Sequence, residues 1–490
     1  MKTFNDYLNQ TGEIGYVKKV VNVMVYADGL PSAHPGEVVV FEGGQIGQVT
    51  SLKQDVVEIL TFSKASVKAG EKVARTGSLI TIPVGNELLG KIVTPFGQPL
   101  DQSMPAVGAK EIRPIEVAPA GIMNRRVIKK QLDTGLGIVD LMVPIGHGQR
   151  ELVIGDRKTG KTNFLLKTIV AGALQGNICI YAAIGKKKID IKKVEEYLKT
   201  SGVLDKVIIV ASTSQDPSGD IFMTPYSAMT IAEYFRDKGQ NSLIVLDDLL
   251  THAKFYREIS LLANKFPGRN SYPGDMFYAH AKLMERAGNF MINGNETAIT
   301  CIPVVESSQG DFSGYIQTNV MSMTDGHIFF DSNLFAEGRR PAINPFLSVT
   351  RVGKQTQSAS KRSINRELLS FMTLFEKMRN YSHFGAELTD SVKVTLQTGN
   401  KLLSIFDQDP EIVIPGNVQA ILLTLAWGGH LKETDTKKIA EYRKRLLTLY
   451  STDPTYRKYI DEAVNKSQSF NDLLQLVQNN LNTFFPTLNQ

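Results

Sequence analysis

Long apolar runs are what this 490-residue chain most clearly lacks. None reaches the length a membrane-spanning helix needs, so any link to a membrane must pass through partners. The N-terminal stretch MKTFNDYLNQ has neither the charged start nor the apolar core of a secretion signal. Cysteine is nearly missing: Cys179 and Cys301 are the only two, each inside an apolar run, which argues against a disulfide scaffold and for buried, reduced thiols in a cytoplasmic chain. The seven histidines never fall at metal-ligand spacing, and no H-E-x-x-H, CxxC or G-x-S-x-G pattern occurs, which removes the zinc-peptidase and serine-hydrolase readings. Neither sign of charge dominates. With 55 Lys and Arg against 49 Asp and Glu the net charge is +6, and the charges are interspersed, so a nucleic-acid surface is not indicated. There is no repeat of fixed period and no low-complexity segment.

What remains is the composition of an ordinary globular protein, 42% hydrophobic and 21% charged, with length enough for about three domains. Residues 1–85 alternate short β-rich runs, Val20–Tyr26, Glu37–Phe41, Asp55–Phe62 and Leu79–Pro83, with turns such as ADGL and EGGQ; this predicts a small barrel or sandwich. Residues 86–354 change to strands alternating with helices, the pattern of a mostly parallel α/β sheet. Its candidate strands are Glu151–Ile154, Ile178–Ile184, Val207–Ala211, Ser242–Leu246 and Ala298–Val305, with a helix expected to start at Pro225 and run to Lys238. Residues 355–490 carry no strand signal. Ile439, Tyr442, Leu446 and Leu449, then Leu474, Val477, Leu481 and Phe484, recur at helical spacing, and Pro410, Pro415, Gly428 and Gly429 punctuate a helical bundle.

The chemistry gathers at RELVIGDRKTGKT, Arg150–Thr162. It fits G-x-x-x-x-G-K-[ST] with Gly155, Gly160, Lys161 and Thr162 in the fixed places, between a β-branched run and an amphipathic helix. In such a turn the backbone N–H groups and the positive end of the following helix converge on phosphate oxygens; the lysine reaches the β- and γ-phosphates and the threonine hydroxyl serves Mg²⁺. A second element is SLIVLDD, whose Asp247 at the end of an apolar strand is placed to serve the same ion. Hydrolysis also needs a group to polarise the attacking water. At the end of the neighbouring strand the chain reads AAIGKKKID, and Lys186, Lys187 and Lys188 supply no base; Asp248 and Glu306 are the available substitutes. Arg351 closes a Ser/Val/Thr run, where a guanidinium can reach a neighbour's phosphate, although an arginine at a strand end is commonly a surface residue.

Together GDRKTGKT, LDDLLTHAKFYREISLL, PGRNSYPGDMFYAHAKLMERA, PAIN and SVTRVG resemble the alpha subunits of the F-type ATP synthase catalytic head, in the family's order and from about Gly12 to about residue 430. The resemblance implies an N-terminal β-barrel, a RecA-like P-loop domain and a C-terminal α-helical bundle. It implies a non-catalytic subunit that binds ATP or ADP with Mg²⁺, in a ring of three alphas alternating with three catalytic beta subunits around a central gamma-type shaft, held by a stator component at the inner face of the cell membrane. Carried over by position, Gly155, Asp156, Arg157, Lys158, Thr159, Gly160, Lys161, Thr162 and Asn163 would hold the nucleotide with Gln408. Thr162 and Asp247 would serve Mg²⁺, and Arg351 would be an arginine finger acting in trans. The departures are Lys158 and Lys186 where alphas usually carry glutamine, Phe406 where an adenine-side glutamine is expected, and only MKTFNDYLN in place of a long N-terminal helix. They suggest a specialised paralogue, coupled to motility rather than proton flow. The competing readings are a self-sufficient homo-hexameric ATPase of secretion or helicase type, and a structural ring subunit with an empty site.

Overall fold

The computed structural model describes residues 3–63, 65–101, 103–383, 389–409, 412–430 and 436–484. The chain divides into two compact units: Met1–Arg126, Gly176–Ser307 and Asp311–Thr324 form one, and Val127–Gln175, Ser308–Gly310 and Asp325–Gln490 the other.

The first unit opens with the helix α1 (Phe4–Thr11), whose Thr3 and Asp6 form a capping box and whose chain turns out of the helix at Gly12, φ 68°. Six antiparallel strands follow: β1 (Ile14–Val21), β2 (Met24–Asp28), β3 (Glu37–Phe41), β4 (Ile46–Leu52), β5 (Val57–Thr61) and β6 (Lys72–Leu79). They close into a barrel in the order β1-β2-β5-β4-β3-β6, and the interior is filled by Val17, Val25, Val39, Phe41, Val49, Ile59 and Val73. The run Val20–Tyr26, expected as one strand, is a hairpin between β1 and β2 that turns at Asn22, φ 54°. Strands β4 and β6 escape a reading by apolar runs because Gly, Lys, Arg and Ser interrupt them; closure of the barrel, not composition, makes them strands.

Later in the same unit, parallel strands lie in the order Asn295–Glu306, Ser242–Asp247, Ile178–Lys186, Val207–Thr213, Ile92–Val93. The four long ones are buried over nearly their whole length, as strands covered on both faces must be. The helix expected from Pro225 runs Ser218–Asp237 instead, with Pro225 inside it. Its start is fixed by Pro217 as N-cap, and burial of most of its residues against the sheet outweighs the one backbone hydrogen bond that Pro225 cannot make.

In the second unit Glu151–Gly155 pairs in parallel with Gly326–Phe330, which pairs antiparallel with Val349–Thr350. Its C-terminal part is helical: Ala359–His383, Asp390–Phe406, Gly416–Trp427, Thr436–Thr452, Pro454–Lys466 and Phe470–Asn479. Gly416–Trp427 is buried almost all round and forms the centre of this bundle. The run through Phe484, expected as one helix, breaks at Asn480. Pro410 lies outside the described residues.

Candidate functional site

The phosphate-loop residues all belong to the second unit. The strand that leads into the loop is buried throughout, and its last residue, Gly155, lies against Phe330. A Cβ there would come within 2.5 Å of the Phe330 carbonyl oxygen, so no larger residue fits. At the other end Gly160 has open space around it but takes φ 95°, a conformation that favours glycine. Between them Lys158 also adopts a left-handed backbone, φ 63°. Internal hydrogen bonds hold the loop's shape: the Thr159 hydroxyl donates to the Asp156 carbonyl at 2.7 Å, and the Asp156 carboxylate accepts from the Gly310 N–H at 3.0 and 3.1 Å. Lys161 opens the helix Lys161–Leu174. It is buried, and its ammonium donates to the carbonyls of Gly155 and Asp156 at 2.7 and 2.5 Å. No side chain caps this helix at Gly160, so its first-turn N–H groups and positive end are presented to an anion, with Arg157, Thr162 and Asn163 exposed nearby in sequence.

Two further expected residues lie in this unit. Gln408 is buried, and both ends of its amide are bound to backbone: Oε1 accepts from the Gly137 N–H at 2.7 Å and Nε2 donates to the Gly135 carbonyl at 3.0 Å. That makes it a tie between the helical bundle and the segment before the loop. Arg351 follows the strand Val349–Thr350 and is exposed, its N–H held by the Asp325 carbonyl at 2.9 Å. Behind that strand Glu151 is fully buried, and burial, with Asp325 adding to it, raises its carboxyl well above the usual range.

Asp247 belongs to the first unit, where the register sets its neighbours. Ala183 pairs with Asp247, so Lys186 stands just beyond the end of that pairing and its long side chain folds back onto the carboxylate. Lys186 Nζ donates to Asp247 Oδ1 at 2.7 Å and to Asp248 Oδ2 at 3.3 Å. Burial alone would lower the pKa of this ammonium, but the two carboxylates overcome it and hold the group above its ordinary value. Tyr181 lies two residues back on the same face and donates its hydroxyl to Asp247 Oδ2 at 2.5 Å; burial and then the Asp247 charge raise that phenol well above its ordinary range. Asp248 caps the helix Leu249–Leu262, accepting from the Thr251 N–H at 2.6 Å and the Thr251 hydroxyl at 3.0 Å. Sequence reasoning missed Tyr181 and Thr251. The signal for Tyr181 was the two-residue period of a strand, readable once the pairing of Ile178–Lys186 with Ser242–Asp247 is known.

Asp247 thus faces an ammonium with one oxygen and a phenol with the other. The Asp248 carboxylate is held by Thr251 and Lys186.

Known proteins resemble this chain along most of its length. Residues 135–350 match the family model described as ATP synthase alpha/beta family, nucleotide-binding domain, and residues 357–481 match that of the ATP synthase alpha/beta chain, C terminal domain. The chain is 37% identical over 473 residues to ATP synthase subunit alpha of Neorickettsia sennetsu, covering 95% of this chain and 92% of that protein. It is also 37% identical over 435 residues to ATP synthase subunit alpha of Staphylococcus aureus, covering 89% and 86%. The family models together cover most of the chain and these relatives match it along almost its full length, so the chain belongs to the alpha subunits of the ATP synthase alpha/beta family.

Proposed function

We propose that this chain binds ATP or ADP at Gly155–Asn163 without hydrolysing it and works as the alpha-type subunit of a rotary ring, alternating with a catalytic beta-type subunit around a gamma-type shaft. The observation that carries the non-catalytic half is Lys186. Where hydrolysis requires a carboxylate beside the strand ends, there is an ammonium ion-paired to Asp247 and Asp248, and an ammonium cannot take a proton from water. Nucleotide is gripped by the loop's N–H groups, the helix end and Lys161, whose ammonium turns from the Gly155 and Asp156 carbonyls to phosphate. Mg²⁺, when present, would neutralise phosphate charge; the exposed Thr162 hydroxyl is a ligand of the right kind.

Arg351 is the residue this subunit lends to its neighbour. Its exposure at a strand end suits a guanidinium that stabilises charge developing on another subunit's phosphate. The test is ATP turnover by the ring reconstituted with a beta-type partner: Arg351→Ala is expected to slow it by about 10³-fold or more, and a loss below about tenfold would overturn the role. Among the described residues no helix is long and apolar enough to cross a membrane, so attachment to the inner face of the cell membrane goes through the stator and an ion-conducting or motility partner. The added positive charges Lys158 and Lys186 favour a specialised branch in which hydrolysis drives movement rather than proton flow; the identity of the copurifying membrane components decides it.

A further inference from the structure

Arg351 projects from a slight platform. The strand before it, Val349–Thr350, pairs with Gly326–Phe330 at two positions only, Gly326 with Thr350 and His327 with Val349, and stands at the end of the strand order. Side chains of the same unit supply the rest of its anchorage. Gly326 pairs with Glu151 on one side and Thr350 on the other, so the three stand in one row across the strands. Gly326 fills none of the row, and a Cβ there would come within 2.7 Å of the Glu151 carboxyl. The Gln149 amide, fully buried, bridges from Glu151 to Thr350. Its Oε1 accepts from the Gly146 N–H at 2.8 Å, which fixes which way the amide faces; Nε2 then donates to Glu151 Oε2 at 2.6 Å and to the Thr350 hydroxyl at 3.1 Å.

The Thr350 hydroxyl is used to its full capacity of one donor and two acceptor positions. It donates to the Pro144 carbonyl at 3.0 Å and accepts from Gln149 and from the Gly353 N–H, the latter at 2.9 Å. Arg351 lies between the two residues so tied, and its own N–H donates to the Asp325 carbonyl at 2.9 Å. Asp325 is held in turn by Arg150, through the backbone N–H at 2.9 Å and the guanidinium at 2.8 and 3.1 Å. We propose that Gln149 and Thr350 are positioning residues for Arg351, fixing the backbone from which its guanidinium projects. The inference rests on the reading of Arg351 as a group that acts on a neighbouring subunit's phosphate, and it adds what aims it. Charge is stabilised in a transition state only by donors already in place, and a misplacement of about 1 Å costs about 10²-fold.

The experiment is ATP turnover by the ring reconstituted with a beta-type partner, with ring assembly and thermal unfolding recorded for every variant. Thr350→Val and Gln149→Met are each expected to lower kcat about tenfold or more while KM for ATP stays within about threefold, and Thr350→Ser, which keeps the hydroxyl, is expected to stay within about threefold of the wild type in both. In rings already carrying Arg351→Ala, adding Thr350→Val is expected to change turnover by less than about threefold, because the residue it positions is gone. Assembled Thr350→Val rings that turn over within about threefold of the wild type overturn the proposal, as does an equal loss in the presence and absence of Arg351, which would mark a merely structural role. Should Gln149→Met fail to assemble, Thr350→Val decides, since it removes one hydroxyl from a partly buried residue and keeps its shape. A loss below about tenfold for Arg351→Ala alone overturns the proposed function and this inference with it, whereas a full loss there beside an active Thr350→Val sinks this inference only.

Discussion

Lys161, Gly155 and the histidine pair show how much single side chains carry here. Lys161 is expected to matter for ligand rather than fold: Lys161→Met should weaken ATP binding at least tenfold while leaving thermal unfolding nearly unchanged, as isothermal titration and a melting curve can check together. Gly155→Ala should cost the fold as well, because its Cβ meets the Phe330 carbonyl at 2.5 Å; about 1–3 kcal/mol in urea unfolding is expected. His252 and His280 are fully buried with ring nitrogens 3.0 Å apart. His252 Nε2 faces the Phe222 carbonyl at 3.1 Å, which can only accept, so Nε2 carries the hydrogen and Nδ1 accepts from His280. Burial pushes His252 down to about 4, against a bond to Phe222 that pulls the other way, and burial, with His252 beside it, holds His280 well below its ordinary value. Since an unfolded histidine titrates near 6.5, stability is complete above that pH and is lost as pH falls toward about 4, by up to about 3 kcal/mol for His252 alone. Urea unfolding across that window should show this slope, and the double variant His252→Gln/His280→Gln should flatten it. The loop residues could be read from spacing alone, but the Lys186–Asp247–Tyr181 contact could not, since it depends on which strand lies beside which.

At the scale of elements, the four long parallel strands near residues 178, 207, 242 and 298 could be read from their apolar runs because burial on both faces leaves no polar alternation to confuse them. The barrel was legible as a class but not strand by strand. One face of β1 and β6 meets solvent, so Lys18, Lys19, Lys72 and Arg75 break the pattern, and the tight turn at Asn22 hides within a β-branched run. Pro225 misled for a comparable reason: proline favours helix starts, and only packing reveals that a buried helix carries it internally. Close helix contact in the bundle is set by Gly399, where a Cβ would lie 2.0 Å from the Phe375 ring. Gly399→Ala should therefore destabilise the chain by about 1–3 kcal/mol despite alanine's better helix propensity, a result that chemical denaturation can measure and that a neutral or stabilising outcome would refute.

For the whole molecule, fold and family follow from motif order and from the alternation of strand and helix signals, whereas the proposed division of labour rests on one charge at one strand end. On the proposed function, the chain binds nucleotide without cutting it, and Arg351 serves a neighbour in a ring. The measurement that tests this most directly is ATP hydrolysis by the purified chain alone, with ATP binding recorded on the same sample. The account predicts about one ATP bound per chain and no turnover above the uncatalysed background. Sustained hydrolysis by the isolated chain, abolished by Asp248→Asn, would contradict it.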